Sequence, residues 1–287
     1  MKLSDKNRTN DRVQLLSPYQ RHWVSVSSRL LPRWTAGRAE RLLVRPPRKR
    51  GRAAEVLDVW GRRADIDVGG RALAAWHFGE QDVPRVLMVH GWGGYGAQFA
   101  PWVPALLAQG RSVTLFDLPG HGESAGRAGR VDEFMAAIRV MLESLPRVTA
   151  LVAHSMGGAA SVQILREWQG LARAVVLAAP ASLAQHMHDL SGRVGLGRAA
   201  HASLVDRLGA RYRPVAELDD LSDLPRAATK ALFIHDRADA EVDFAHLARF
   251  EALWPGCESM ATDGLGHYRV LKDAAVIARA VGFIAAG

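Results

Sequence analysis

The chain has 287 residues, 48% hydrophobic and 23% charged, as expected of a soluble globular protein with one large core or two small ones. No apolar run approaches the roughly 20 residues of a membrane-spanning helix, and the single cysteine, Cys257, excludes an internal disulfide and a cysteine metal cluster. The formal charge of +8 is unevenly placed: residues 1–52 hold 14 Lys/Arg against 3 Asp/Glu, a net +11, so the rest of the chain is net −3.

Met1–Asn10 is polar and lacks the apolar segment of a secretory signal, so a cytoplasmic location is the expectation. Ser17-Pro18 reads as an N-cap and first helical turn, followed by Tyr19, Trp23, Val26 and Leu30 on one helical face, with Pro32 as the stop. A second short helix is expected over Arg38–Val44, then a basic run, Arg48-Lys49-Arg50-Gly51-Arg52. Residues 1–52 therefore form a basic N-terminal extension. Aromatic residues beside arginines also suit weak contact with a membrane surface. A helix face packed on the main domain is the more common outcome and the preferred one. No nucleic-acid-binding module is recognisable, so nucleic acid is not an expected partner.

From residue 53 the pattern changes. Glu55–Trp60, Ala64–Val68 and Arg71–Phe78 read as short strands, the last two joined by a Gly69-Gly70 turn. Strands are then expected at Arg85–His90, Ser112–Asp117, Val148–His154, Ala172–Ala179, Ala231–Asp236 and Ser259–Thr262. Between and after them lie helical patterns at Ala97–Gln109, Val131–Leu145, Met156–Gln169, Phe244–Trp254 and Val270–Ala285. This alternation implies an α/β fold with a mostly parallel central sheet flanked by helices. Ala181–Lys230 contains no strong strand and is too long for a plain connection, so an inserted helical cap is expected there. The division is then 1–52 extension and 53–287 α/β domain, with the cap at about 181–230.

Sites of open parallel sheets lie at the carboxyl ends of strands. There the sequence places His90-Gly91-Trp92-Gly93-Gly94, Asp117–Ser124, Ser155, His235–Asp243 and Asp263–His267. The turn Ala153-His154-Ser155-Met156-Gly157-Gly158 leads from an apolar strand straight into a helix, between small residues. Such a turn lifts its central side chain above the sheet, as a nucleophile elbow does. A serine hydroxyl needs a base within hydrogen-bond reach, and the base needs a carboxylate to fix its tautomer. Ser155, Asp239 and His267 are of those three types, in that order along the chain. Asp236 is the alternative acid, or else a strand-end aspartate binding nearby backbone. The backbone N–H groups of Trp92 and Met156 are candidate donors to an oxyanion. Asp117, His90, His121 and His154 read as mainly structural, Tyr268 as pocket lining and Asp243 as a helix N-cap. The histidines at 186, 188 and 201 lack close metal-ligand pairing.

With these residues in view, the chain resembles the α/β-hydrolase superfamily, in the group with a His-Gly-X loop (His90-Gly91-Trp92) and an Asp-X-Pro-Gly-His-Gly-X-Ser segment (Asp117–Ser124). The resemblance covers about Arg85 to Gly287. Ala153 stands where the elbow usually has glycine, and Asp236 where the acid segment usually has one. The resemblance implies a serine hydrolase of esterase, lipase or lysophospholipase type, acting on a small-molecule acyl substrate with neither metal nor cofactor. A carboxylic ester or thioester is the leading substrate class. C–C bond hydrolysis, amide cleavage and acyl transfer use the same residue types, and a non-catalytic ligand-binding protein is the reading from another class. The serine disfavours dehalogenation and epoxide opening, which use aspartate at the elbow.

Overall fold

The computed structural model describes residues 16–48, 57–127, 129–221, 224 and 229–287. The expectations for Met1–Asn10, for most of the basic run after Arg48, for the start of the strand at Glu55 and for a few residues near the end of 181–230 lie outside them. Among the described residues no helix is long and apolar enough to cross a membrane.

The framework is an eight-stranded sheet. In chain order its members are β1 (Arg62–Arg63), β4 (Ala75–Phe78), β5 (Arg85–Val89), β6 (Ser112–Phe116), β7 (Val148–His154), β8 (Arg173–Leu177), β9 (Lys230–Asp236) and β10 (Glu258–Thr262), in spatial order β1-β4-β6-β5-β7-β8-β9-β10. The pairs β1/β4 and β4/β6 are antiparallel, and every pair from β6 to β10 is parallel. The central strands β5, β6 and β8 are buried along their whole length. That is the reason they read as unbroken apolar runs: both sheet faces carry helices. One face packs against Phe134, Ile138 and Leu165, and the other against Trp102, Val276 and Phe283.

A separate ribbon, β2 (Ile66–Asp67) and β3 (Ala72–Leu73), pairs across the expected Gly69-Gly70 turn. Both glycines have positive φ, which the tight turn requires and side chains resist. Of the expected strand at Glu55–Trp60, the described residues 57–60 are not a strand. Residues 57–60 form a helical turn, and β1, two residues later, takes the place beside β4 instead. Leu57 is buried and Asp58 accepts a hydrogen bond from the Trp76 indole, so tertiary contacts override the strand propensity of Val59 and Trp60.

Two N-terminal helices, α1 (Pro18–Leu30) and α2 (Pro32–Leu43), precede the sheet. Ser17 caps α1 in a reciprocal box with Gln20, as the Ser-Pro signal suggested. Pro32 ends α1 and also starts α2, because its fixed φ suits a first helical turn. The second helix therefore begins earlier than the expected Arg38. Within the sheet come a 3-10 segment Gly96–Trp102, α3 (Val103–Leu107), α4 (Val131–Ser144) and α5 (Ser155–Glu167).

Between β8 and β9 lie α6 (Leu183–Val194), α7 (Arg198–Arg211) and α8 (Val215–Asp219). Asp219 accepts from Ser182 Oγ and from the first N–H groups of α6, fastening α8 to that helix start. Helices α1 and α2 pack on α7 around Ala36, Ala200 and Leu204. At that contact Glu40, almost fully buried, receives Arg207 at 2.8 Å and Arg211 at 2.9 Å. The chain closes with α9 (Ala245–Leu253), β10, α10 (Gly266–Arg269) and α11 (Ala274–Ala285).

Candidate active site

Strand β7 ends at His154 and α5 begins at Ser155 with no intervening loop. Ser155 has φ 54°, a left-handed conformation that costs a side-chain-bearing residue energy. Small neighbours make the turn fit. A Cβ at Gly157 would lie 2.1 Å from the His90 carbonyl oxygen, and one at Gly158 would lie 2.7 Å from the Ala179 methyl. Ala153 is fully buried where a glycine was the usual expectation, and its methyl is part of the sheet core.

His267 sits on the short helix α10, directly after β10. Its Nε2 is 3.0 Å from Ser155 Oγ, and its Nδ1–H donates to Asp239 Oδ2 at 2.8 Å. Ser155 Oγ–H donates to Nε2 in this tautomer. Serine, histidine and Asp239 thus form one continuous hydrogen-bond chain from three separate strand ends. Asp239 lies in the loop after β9, where its Oδ1 also accepts the N–H groups of Glu241 and Val242. Burial raises the proton affinity of its carboxyl. Hydrogen bonds from His235 and His267 outweigh that and hold it well below the usual carboxylate range.

Asp236, the alternative acid, does not reach His267. It accepts from Ala238 N–H, Thr262 Oγ1 and Leu265 N–H, stitching the ends of β9 and β10 together. Asp243 accepts the Ala245 N–H at the start of α9, the N-terminal capping expected of it.

The loop carrying Trp92 runs beside the serine: a Cβ on Gly91 would come within 2.8 Å of Ser155 Cβ. Trp92 and Met156, the latter in the first turn of α5, line the same cavity as Ser155 and His267. Three histidines brace this region. His90 Nδ1–H donates to the Gly91 carbonyl while Nε2 accepts the Leu118 N–H. His121 Nδ1–H donates to the Pro119 carbonyl while Nε2 accepts the Gly93 N–H. His154 Nε2–H donates to the His267 carbonyl at 2.9 Å. Burial depresses all three, His90 to about 4, His121 to about 3 and His154 to about 3, so each is a neutral imidazole at neutral pH. Asp117 accepts the N–H groups of Gly96 and Glu123 and holds the two loops together.

Two contacts were not legible in the sequence. His235 Nε2 lies 3.5 Å from Asp239 Oδ2 and 3.0 Å from the Val242 carbonyl, so Asp239 stands between two imidazoles. The Trp92 indole N–H donates to the Leu43 carbonyl of α2 at 2.8 Å, joining the N-terminal helices to the loop beside the serine. The signal for the first was a histidine at a strand end four residues before the acid. The second had none, because its acceptor is a backbone carbonyl.

A cavity of about 2140 Å³ opens above Ser155. Its walls come from the strand-end loops, from α1 and α2, and from α6 and α7, with Leu183, Met187 and Leu208 among its apolar lining. His186 and Tyr268 also line it, while His188 and His201 pair edge to face within the helical segment. Burial in this cavity, with the charge of Glu241 nearby, pushes the Tyr268 hydroxyl above its usual range.

Comparison with known proteins adds to this geometry. A family model described as "Serine aminopeptidase, S33" matches residues 80–232. That span includes Trp92, Ser155 and Met156 and ends before Asp239 and His267. The dihydrolipoyllysine-residue acetyltransferase component of the acetoin cleaving system of Pseudomonas putida is 39% identical over 104 residues, 34% of this chain and 27% of that protein. A pimeloyl-(acyl-carrier protein) methyl ester esterase of Methylococcus capsulatus is 35% identical over 94 residues, 33% of this chain and 36% of that protein. The chain therefore spans well under two thirds of the length of these curated relatives. An esterase of Pyrococcus furiosus superposes with a TM-score of 0.64 at 19% identity, covering 85% of this chain and 97% of that one. At that identity the likeness concerns the fold.

Proposed function

The chain belongs to the α/β-hydrolase superfamily, in the family described as "Serine aminopeptidase, S33", and from that premise we propose that it hydrolyses a carboxylic ester or thioester through an acyl-enzyme on Ser155. The observation that carries this reading is the hydrogen-bond chain Ser155–His267–Asp239, at 3.0 and 2.8 Å. Ser155 Oγ attacks the carbonyl carbon as its proton passes to His267 Nε2. Asp239 keeps Nδ1 protonated and stabilises the imidazolium. The negative oxygen of the tetrahedral intermediate is met by the N–H groups of Trp92 and Met156, a donor of this kind being worth about 3 kcal/mol. His267 returns the proton to the departing alcohol or thiol. A water molecule then repeats the sequence on the acyl-serine, releasing the acid. The apolar wall of the cavity supports an acyl chain as the part of the substrate held there.

A second reading is cleavage of an N-terminal residue from a peptide on the same machinery. Glu241 favours it: this residue lines the cavity beside Tyr268 and supplies negative charge there, which suits a substrate ammonium.

A fluorophosphonate probe tests the nucleophile. Labelling of the wild type and none of Ser155→Ala is expected; equal labelling of both, or of neither, in folded protein refutes the assignment. A panel of p-nitrophenyl esters, acyl thioesters and aminoacyl p-nitroanilides then separates the two readings, with turnover of the esters and thioesters expected to lead.

A further inference from the structure

Helix α1 packs the opposite way from the expectation raised by its sequence. Tyr19, Trp23, Val26 and Leu30 form its apolar stripe, yet Tyr19 is 71%, Trp23 57% and Leu30 73% exposed. The face turned inward holds Arg21, Val24 and Ser28, with the Ser28 side chain against Gly197 and the Arg21 stem against Gly195. Helix α2 repeats the pattern. It buries Thr35, Ala36, Gly37 and Glu40 and leaves Trp34, Arg38 and Leu42 outside, with the Arg38 guanidinium 5.1 Å from the Trp34 ring centre. Leu31, at the corner between the helices, is exposed as well. An outward stripe of this size on both helices is unusual for a surface meeting only water.

Charge identifies what meets it. Residues 16–48 carry seven arginines, all exposed, and one carboxylate, Glu40, which is buried between Arg207 and Arg211. Tryptophan, tyrosine and leucine interleaved with arginine suit the interface of an anionic bilayer, where rings sit at headgroup depth and guanidinium groups meet phosphate. A second copy of the same face is disfavoured, because the outward arginines of one copy would oppose those of the other. The stripe is also continuous with the cavity. Tyr19, Trp23, Trp34 and Leu42 line the same space as Ser155 and His267.

We propose that the outer face of α1 and α2 docks on an anionic lipid bilayer, bringing the mouth of the cavity at Ser155 against acyl esters held in that bilayer. The docking half stands on the surface alone; the choice of lipid-borne esters rests on the hydrolase reading above. Acyl chains then pass from bilayer to cavity along an apolar rim, without crossing water.

The test is co-sedimentation of the full chain, carrying Ser155→Ala to prevent turnover, with phosphatidylcholine vesicles and with vesicles in which about one third of the lipid is phosphatidylglycerol. Binding to the anionic vesicles is expected, weakening with added salt and at least about tenfold weaker to phosphatidylcholine alone. Trp23→Ser combined with Trp34→Ser, and separately Arg29→Glu combined with Arg33→Glu, should each lower anionic-vesicle affinity by at least about tenfold. Circular dichroism checks that these surface variants remain folded. Absence of binding, equal binding to both lipids, or unchanged affinity in both double variants overturns the proposal. Loss of binding on removing residues 1–15, with both double variants unaffected, assigns it to that segment and likewise overturns it. So does a dimer in light scattering that the tryptophan changes dissociate. Vesicle binding does not depend on turnover, whereas fluorophosphonate labelling does not depend on lipid. Failure of one therefore leaves the other reading standing.

Discussion

The Trp92 indole donates a hydrogen bond to the Leu43 carbonyl, linking the last turn of α2 to the His90–Gly94 loop that runs beside the serine. Pro47 reinforces the link by packing against Gly93, and Gly129 N–H reaches the Val44 carbonyl. The N-terminal helices thus help to set the position of the proposed oxyanion donor. Trp92→Phe removes the N–H and keeps most of the ring. A neutral hydrogen bond is worth about 1 kcal/mol, so kcat/KM on a p-nitrophenyl ester should fall about fivefold with the KM little changed. An unaltered kcat would mean that the link does not position the loop.

The two aspartates flanking Arg237-Ala238 separate cleanly by contact. Asp239 meets His267, and Asp236 meets only backbone and Thr262. Asp239→Asn places an amide where the imidazole N–H needs an acceptor and favours the wrong tautomer, so kcat should drop by about 10³–10⁴. Asp236→Asn should lower the melting temperature, because buried N–H groups lose a charged acceptor, while active-site titration shows near-normal turnover per folded molecule. The reverse ranking in steady-state kinetics would transfer the acid role to Asp236.

Much of this arrangement was legible because it depends on local rules. A serine between small residues at the abrupt end of a buried strand fixes where that side chain must stand, and glycine-rich strand ends mark where loops approach it. Ser155, Asp239 and His267 are brought together from those positions. What was hidden depends on direction and on partners. Periodicity groups Tyr19, Trp23, Val26 and Leu30 on one face, but it does not say whether that face turns inward; here Gly195 and Gly197 admit the opposite side of the helix so closely that the aromatic stripe is left outside. Likewise, residues 57–60 have strand-forming side chains, yet the place beside β4 is occupied by Arg62 and Arg63.

Acid should destabilise the fold through its bracing histidines. His90 and His121 each use Nε2 to accept a backbone N–H, a role that protonation abolishes. Their native values, about 4 and about 3, lie below the roughly 6.5 of an unfolded histidine. The unfolded chain therefore binds more protons between those limits, and stability is complete above about pH 6.5 and is lost as pH falls toward 4. Asp239 adds little above about pH 5, where its carboxyl is ionised in both the native and the unfolded chain. Each histidine contributes a slope of up to about 1.4 kcal/mol per pH unit. Melting temperatures measured from pH 7.5 to 4.5 should be flat at first and then decline steeply; a flat profile down to pH 5 would contradict the neutral, acceptor role of these rings.

Glycine substitutions should discriminate the tight elbow from an ordinary helix. At Gly157 a methyl group would enter the space of the His90 carbonyl, a rigid backbone atom on the strand-end loop beside the serine. Gly157→Ala must displace either that loop or the first turn of α5, and it should cost more than about 3 kcal/mol or prevent folding. Gly192, inside α6, has nothing within 4 Å of the same added atom. Gly192→Ala should stabilise the protein by about 0.5–1 kcal/mol through reduced backbone entropy of the unfolded chain. Urea denaturation of both variants reads the contrast directly. A mild effect at Gly157 would mean that the elbow is far more pliable than its 2.1 Å approach implies.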